Sequence, residues 1–261
     1  MEVCEKPLLS ESMDPKLDII ERFLKNVKGQ QIDISKYNQT HDGKEGHWLE
    51  ERMGIKANNT NAPDIFGYEM KKTAPVISFG DWSATEYLFS KKKKILPDIK
   101  MTRKEFLGYF GKPNSEKNGR LSWSGKCFPI VDTYNEYGQK LVINEKSGDI
   151  TIVYSTSHDT RQDKPTFEVL EFPIAFWDGD KLKARVSRKF GQNGFFICKK
   201  KGEIYHKICF GGPLTFEFFI QKMCSGYIYI DSGMYDGNSR NYSQFRATKK
   251  LWDQLITEEY E

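Results

Sequence analysis

Apolar side chains recur at positions 17, 19, 20, 23, 24 and 27, the spacing of one helix face, so residues 16–28 are predicted to form an amphipathic helix. Asp14-Pro15 supplies its start, with a carboxylate as N-cap and proline at the first helical position. Residues 1–15 read as a loose tail and 29–46 as a polar loop. A short helix is predicted over 47–55, with Gly54 as its terminator. After an Asn-rich loop at 56–62, residues 64–73 read as a strand pair about Gly67, and 76–79 as a further strand. Residues 101–110 read as helix, and 111–126, rich in Gly, Ser and Asn, as loop. From 128 to 212 the pattern is mainly β, with strands predicted at 141–143, 150–154, 166–172, 183–186, 194–199 and 203–209. Gly148-Asp149, Asp178-Gly179 and Lys201-Gly202 read as the turns between them. A helix at 213–223, an alternating strand at 226–232 and a closing helix at 248–256 complete the chain. No internal repeat is visible, and the fold class is α+β.

Composition narrows the class. With 261 residues the chain suits one large domain or two small ones, and 14% aromatic residues exclude a mostly disordered polymer. Apolar runs such as 195–198 and 218–220 fall far short of the ~20 residues of a membrane helix. The N-terminus is acidic and polar, without a signal-peptide pattern. Five cysteines, Cys4, Cys127, Cys198, Cys209 and Cys224, show no CxxC spacing and read as free thiols. His41, His47, His158 and His206 lack zinc-protease spacing, and His158 reads as a loop residue. Phe195, Phe196 and the Phe-rich stretch 216–219 read as core.

Charge changes the picture only locally. The formal net charge is +4, a weak pointer to nucleic acid. Yet residues 91–126 hold 11 Lys+Arg against 3 Asp+Glu, and residues 181–207 hold 9 against 1. Two basic segments are therefore embedded in an otherwise acidic chain. The first includes Lys91, Lys92, Lys93 and Lys94, which suit phosphate contacts or a plain exposed loop. The second, with Arg185, Arg188, Lys189 and 199–201, reads as a possible β-hairpin arm about 191–194.

The chemistry concentrates at Asp64-x4-Glu69-x-Lys71, with Glu50 on the preceding helix. Glu69 and Lys71 are two apart on a predicted strand and share a face. Tyr68 and Met70 alternate with them and can pack into a core. Two carboxylates beside an ammonium suit Mg²⁺, which takes one or two carboxylates plus substrate phosphate. Such an ion activates water and stabilises a leaving oxygen, while the lysine orients the water and offsets charge on phosphorus. On pattern alone, charges alternating along a strand more often mark a solvated face.

Gly46-x-x-x-Glu50, the fourteen-residue spacing to Asp64, and Pro63-Asp64…Glu69-x-Lys71 resemble the MvaI/BcnI group of type II restriction endonucleases. That group is related to the mismatch-repair nickase MutH, within the PD-(D/E)XK nuclease superfamily. Leu88-Phe89-Ser90-Lys91, the strand 226–231 and Phe245-Arg246 extend the resemblance. It covers residues 40–90 and 224–256; residues 100–220 do not match residue by residue. It implies a nuclease core of mixed sheet flanked by helices, with a smaller β-rich DNA-recognition lobe. The chain would be one two-lobed unit, about 16–130 catalytic and about 131–261 mixed core plus recognition lobe. Asp64 and Glu69 would hold Mg²⁺ (one or two ions, Mn²⁺ substituting), Lys71 would assist the water, and Glu50 would be an accessory acid. The partner would be double-stranded DNA, cut by a monomer one strand at a time. A cytoplasmic bacterial setting and a separate cognate DNA methyltransferase go with that activity.

One departure bears on target choice. Where the family has a histidine-rich cluster before Phe-Arg, residues 236–244 offer Asn, Arg, Gln and Tyr instead. Arg240, Asn241, Gln244 and Arg246 are the expected base and phosphate contacts, since Arg suits guanine and Asn or Gln suits adenine. Asp231 reads either as an acceptor for a cytosine amino group or as a structural cap, and Lys72 as a phosphate contact or a plain exposed lysine. The alternatives are a MutH-like nickase acting with partners and a non-catalytic DNA-binding protein of the same fold. The intact Asp64, Glu69 and Lys71 set speaks against the second, and no RNA-binding motif is present.

Overall fold

The computed structural model describes residues 14–37, 43–56 and 60–261. Cys4, His41 and most of the expected tail lie outside the described residues. The first half contains α1 (Pro15–Asn26), α2 (Lys44–Arg52), β1 (Tyr68–Lys72), β2 (Val76–Asp81), β3 (Glu86–Tyr87), α3 (Arg103–Phe110), β4 (Lys112–Asn114) and β5 (Arg120–Trp123). Then follow β6 (Tyr137–Ile143), β7 (Ile150–Asp159), β8 (Phe172–Trp177), α4 (Gly179–Phe190), β9 (Gly194–Lys201) and β10 (Ile204–Gly211). The last are α5 (Phe216–Cys224), β11 (Ile228–Ser232), β12 (Met234–Tyr235), β13 (Ser243–Thr248), α6 (Lys249–Gln254) and β14 (Ile256–Tyr260). Among the described residues no helix is long and apolar enough to cross a membrane.

Contacts divide the chain into two units. Unit one holds the described residues up to Thr73 with Gln192–Pro213 and Ile256–Glu261; unit two holds Ala74–Gly191 and Leu214–Leu255. Unit one is a four-stranded mixed sheet, β1-β9-β10-β14. β1 runs parallel to β9, and β10 runs antiparallel to both β9 and β14. The helices α1 and α2 bury Ile19, Phe23, Trp48 and Leu49 in one cluster with Tyr68, Met70, Phe196 and Phe210. α1 begins as expected, with the Asp14 carboxylate accepting from Lys16 N at 2.9 Å.

Unit two contains three sheets, β11-β13-β2, β12-β5-β4 and β3-β8-β7-β6. α3 opens on a capping box, in which the Thr102 hydroxyl accepts from Glu105 N while the Glu105 carboxylate takes Thr102 N. Phe216 and Phe219 are buried here, and Phe195 and Phe196 in unit one, as expected.

Several sequence expectations are corrected. Residues 183–186 belong to α4, not to a strand. Leu182, Val186 and Phe190 are buried at four-residue spacing, and Asp178 caps the helix by accepting from Lys181 N at 3.0 Å. Asp178-Gly179 is thus a helix start and not a hairpin turn. The supposed basic arm dissolves with it: Arg185, Arg188 and Lys189 lie on α4, while Lys199–Lys201 belongs to β9. The expected loop at 111–126 contains β4 and β5. The strand expected at 166–172 starts only at Phe172, because Val169 and Leu170 remain exposed. His158 lies in β7, its ring stacked on Tyr134 at 3.9 Å. β14 was not expected; it follows α6 at once and completes the unit-one sheet.

Glu86 is buried, and its carboxylate accepts the backbone N–H groups of Lys94, Ile95 and Leu96 at 2.9, 3.0 and 3.0 Å. Burial opposes the charge, but the three N–H groups outweigh it and hold the carboxyl below its usual range. Glu86→Ala strands these donors and is expected to destabilise unit two by about 3 kcal/mol, read as a shifted denaturant midpoint with an unchanged slope.

Candidate active site and nucleic-acid surface

A tight turn sets up the catalytic strand. Ile65 and Tyr68 exchange backbone hydrogen bonds at 3.1 and 2.8 Å across Phe66 and Gly67. Both central residues have positive φ, 48° and 80°, as a primed hairpin turn requires. The left-handed φ at Gly67 is what calls for glycine; a Cβ there would also meet the flexible end of the Gln192 side chain, which could move aside. Asn193 donates its backbone N–H to the Gly67 carbonyl at 3.1 Å and its Nδ2 to the Phe66 carbonyl at 2.8 Å. The turn is thereby fixed to the start of β9. Asp64, just before it, accepts from Met70 N through Oδ2 at 2.9 Å.

β1 then divides its side chains between two faces. Tyr68 and Met70 enter the helix-side core. The alternate positions carry Glu69 and Lys71, whose Nζ donates to Glu69 Oε1 at 2.8 Å. Their side chains are only 4% and 12% exposed. In register beside them stand Phe195 and Ile197 of β9, both buried. The expected solvated face is therefore absent: this ion pair is nearly dry, where loss of either partner leaves a charge uncompensated.

The other predicted residues of unit one are arranged differently. Glu50 sits on α2 with Oε2 3.2 Å from Nδ1 of His47, one helical turn earlier. Lys72 lies next to the pair in sequence, but its ammonium is engaged by Glu45 at 2.9 Å. Lys200 reaches the same carboxylate at 3.7 Å. Burial works against the Glu45 charge, but Lys72 and Lys200 together outweigh it and hold its carboxyl below the usual range. Sequence reasoning passed over His47 and Glu45; the i, i+3 spacing of His47 and Glu50 was the available signal for the first.

Asp64 and Glu69 offer two hard carboxylate donors, with Lys71 supplying a cation beside them. This set fits Mg²⁺, which needs few protein ligands when substrate phosphate supplies others. Among the described residues no group of three or more His, Cys, Asp or Glu side chains is arranged to hold a metal.

Unit two gathers the residues expected to read DNA. The β11-β13-β2 sheet buries Ile228, Ile230, Phe245, Ala247, Ile77 and Phe79 on one face. The alternate positions bring Asp231 opposite Gln244 and Tyr229 opposite Arg246. Arg246 donates to Asp231 Oδ2 at 2.9 Å and, through Nε, to Gln244 Oε1 at 2.7 Å. Asp231 is thus a partner for arginine, which neither reading of the sequence anticipated. Arg240, 66% exposed, lies 3.3 Å from Asp81 and over the Tyr242 ring. The Asn241 carbonyl accepts from Ser83 Oγ at 2.5 Å.

Lys91 and Lys92 are exposed, which suits a phosphate contact and a plain surface loop alike. Lys93 is not a surface cation. Its side chain is 5% exposed, and Nζ donates to the carbonyls of Leu88 and Ile99 at 2.9 and 2.7 Å. The sequence shows only a run of four lysines, and the Glu86-bound turn that folds one of them inward is a tertiary feature.

Comparisons with known proteins give the family and, separately, the fold. The model of the LlaMI restriction endonuclease family matches residues 27–260. The type II restriction enzyme ScrFI of Lactococcus lactis subsp. cremoris is 45% identical over 271 residues, spanning 94% of this chain and 99% of that protein. In fold, the chain resembles the restriction endonuclease MvaI in its complex with cognate DNA, with a TM-score of 0.61 at 14% identity. That match covers 95% of this chain and 99% of the other.

Proposed function

Because the chain belongs to the LlaMI restriction endonuclease family, and is with it a type II restriction endonuclease, we propose that Asp64, Glu69 and Lys71 of unit one hydrolyse DNA while unit two selects the sequence. The observation that carries this reading is the nearly dry Glu69–Lys71 pair, on a strand whose backbone also fixes Asp64. Asp64 and Glu69 would hold Mg²⁺, with Mn²⁺ able to substitute. The ion supplies charge neutralisation for the scissile phosphate and lowers the cost of ionising water. Lys71 orients the attacking water through Nζ and offsets the charge that builds on pentavalent phosphorus. Glu69 holds that ammonium in place through its 2.8 Å hydrogen bond until phosphate arrives. Glu50, linked to His47, is an accessory acid at the edge of the site. Lys91 and Lys92 contact phosphate, and Arg240, Asn241, Gln244 and Arg246 contact bases.

The enzyme acts as a monomer on double-stranded DNA in a bacterial cytoplasm, alongside a methyltransferase that protects the host's own sites. A single active site cuts one strand per event. Supercoiled plasmid with Mg²⁺ is therefore expected to pass through a nicked circle before it becomes linear, and chelation by EDTA should stop both steps. Linear product without a nicked intermediate, together with a protein dimer on specific DNA by sedimentation, would overturn the monomer reading. Cutting that persists in EDTA would overturn the metal.

Arg246→Ala should weaken discrimination at one base pair by about 1–3 kcal/mol, the worth of a bidentate arginine–guanine contact. Binding to unrelated duplexes, dominated by phosphate, should change little. Competition between cognate and single-substituted duplexes measures this.

A further inference from the structure

We propose that Arg103 is a positioning residue for sequence selection: it clamps the 236–241 loop through Asn238, so that Arg240 and Asn241 meet the bases in one fixed arrangement. The proposal rests on the reading of that loop as part of the DNA-contacting surface.

Arg103 is the first residue of α3, and the Thr102–Glu105 capping box fixes where that helix begins. Its guanidinium donates through Nη1 to the main-chain carbonyl of Asn238 and through Nη2 to Asn238 Oδ1. Nη2 also reaches the carbonyl of Arg240 at 3.2 Å. Asn238 is itself tied into the loop: Nδ2 donates to the Gly233 carbonyl at 3.1 Å, and Oδ1 accepts from Tyr235 N at 3.3 Å. One side chain, 135 residues away in sequence, thus grips both the turn and the carbonyl of a predicted base-reading residue.

The loop is anchored on either side by other groups. Tyr235 pairs with Ser122, and Asp236 N donates to the Leu121 carbonyl at 2.9 Å. Beyond the loop, Ser243 N donates to Asp81 Oδ1 at 2.8 Å. Between these anchors the chain passes through Gly237, at a left-handed φ of 95°, to Arg240. Arg103 braces that intervening stretch. An arginine suits the task because its planar fork makes two parallel bonds to one residue, which a lysine ammonium does not.

A loop ordered before DNA arrives does not carry its ordering cost into binding. It also resists shifting to accommodate a wrong base, and that resistance is what separates selectivity from affinity. Arg103 itself touches no base in this scheme.

The test uses the full-length enzyme and the site found by run-off sequencing of plasmid digests. Cleavage of a cognate duplex is compared with duplexes carrying one substituted base pair. Arg103→Ala and Asn238→Ala are each expected to lower the cognate-to-substituted ratio by about tenfold, a large part of what one base pair supplies. The loss should appear in KM more than in kcat. The double variant should lose no more than either single one, since both remove the same clamp. Arg103→Lys, which keeps the charge but not the fork, should recover only part of the ratio. A purely structural role predicts instead lower thermal midpoints with an unchanged ratio. An unchanged ratio in soluble Arg103→Ala overturns the clamp. If that variant does not fold, unchanged ratios in both Arg103→Lys and Asn238→Ala overturn it equally. Arg240→Ala and Asn241→Ala separate the two levels: if both retain full selectivity, the loop does not read DNA and the underlying reading falls. If they lose selectivity while Arg103→Ala retains it, the clamp alone is wrong.

Discussion

Replacing Lys71 by alanine is expected to abolish cleavage while leaving DNA binding close to that of the parent. The ammonium is 2.8 Å from Oε1 of the buried Glu69, and its own side chain is 12% exposed. Its removal takes away the group assigned to the water and to phosphorus, a loss of about 10²–10⁴ in rate. It also leaves the buried Glu69 carboxylate beside Phe195 without the ammonium that donates to its Oε1. Both effects act on the chemical step. Affinity, which the proposed reading assigns to phosphate and base contacts of unit two, should change little. Lys71→Met keeps the packing of the aliphatic stem and should fail in the same way, so a folding defect is separated from a chemical one. Single-turnover cleavage and gel-shift titration without metal provide the two readings. Near-parental cleavage by either variant removes the site assignment.

The second large effect concerns the stability of unit two. Asp159 is buried, and its oxygens receive Arg161 Nε at 3.0 and 3.2 Å, Arg161 Nη2 at 2.6 Å and the Tyr154 hydroxyl at 2.9 Å. Arg161 Nη2 also donates to the Tyr109 carbonyl at 2.8 Å. Asp159→Ala leaves the partly buried Arg161 guanidinium without its carboxylate, with only the Tyr109 carbonyl as acceptor, and leaves the Tyr154 hydroxyl only the Pro165 carbonyl at 2.8 Å. A cost of about 3–5 kcal/mol is expected, lowering the thermal midpoint by roughly 10 °C. Asp159 also confers an acid limit. Burial raises its pKa, but the Arg161 and Tyr154 hydrogen bonds outweigh this and leave it below the ordinary aspartate value. The stabilisation is therefore complete above the unfolded-state pKa, near 4, and disappears as pH falls through the lower folded-state value. Urea midpoints of parent and Asp159→Asn should differ at pH 7 and converge toward pH 3. A constant difference across that range would contradict the account.

What the sequence disclosed depended on whether the physics was local. α1 was legible because its apolar spacing and the Asp14-Pro15 cap both act within a few residues. The Glu69–Lys71 pairing was legible because residues two apart on a strand share a face. α4 was misread: a run of Lys and Arg on its solvent face masked three buried positions four residues apart, and its capping aspartate looked like a turn. The parallel pairing of β1 with β9 joins positions more than a hundred residues apart, and no local pattern announces it. Lys93 and Arg103 were opaque for the same reason. Each has its role set by carbonyls presented from loop backbone, which composition does not encode.

The strand β14 has a consequence for biosynthesis. Unit one draws its final strand from residues made after all of 74–255, and Lys16 of α1 meets Glu258, 242 positions further on, at 2.7 Å. During translation the sheet of unit one must therefore wait: α1, α2 and the strands up to β10 leave the ribosome with the β10 edge uncovered, and residues 214–255 of unit two are made before the strand that covers it. Asp64, Glu69 and Lys71 are thus made early but are housed in a sheet completed last. A chain interrupted within unit two would present an open β10 edge in place of a finished sheet.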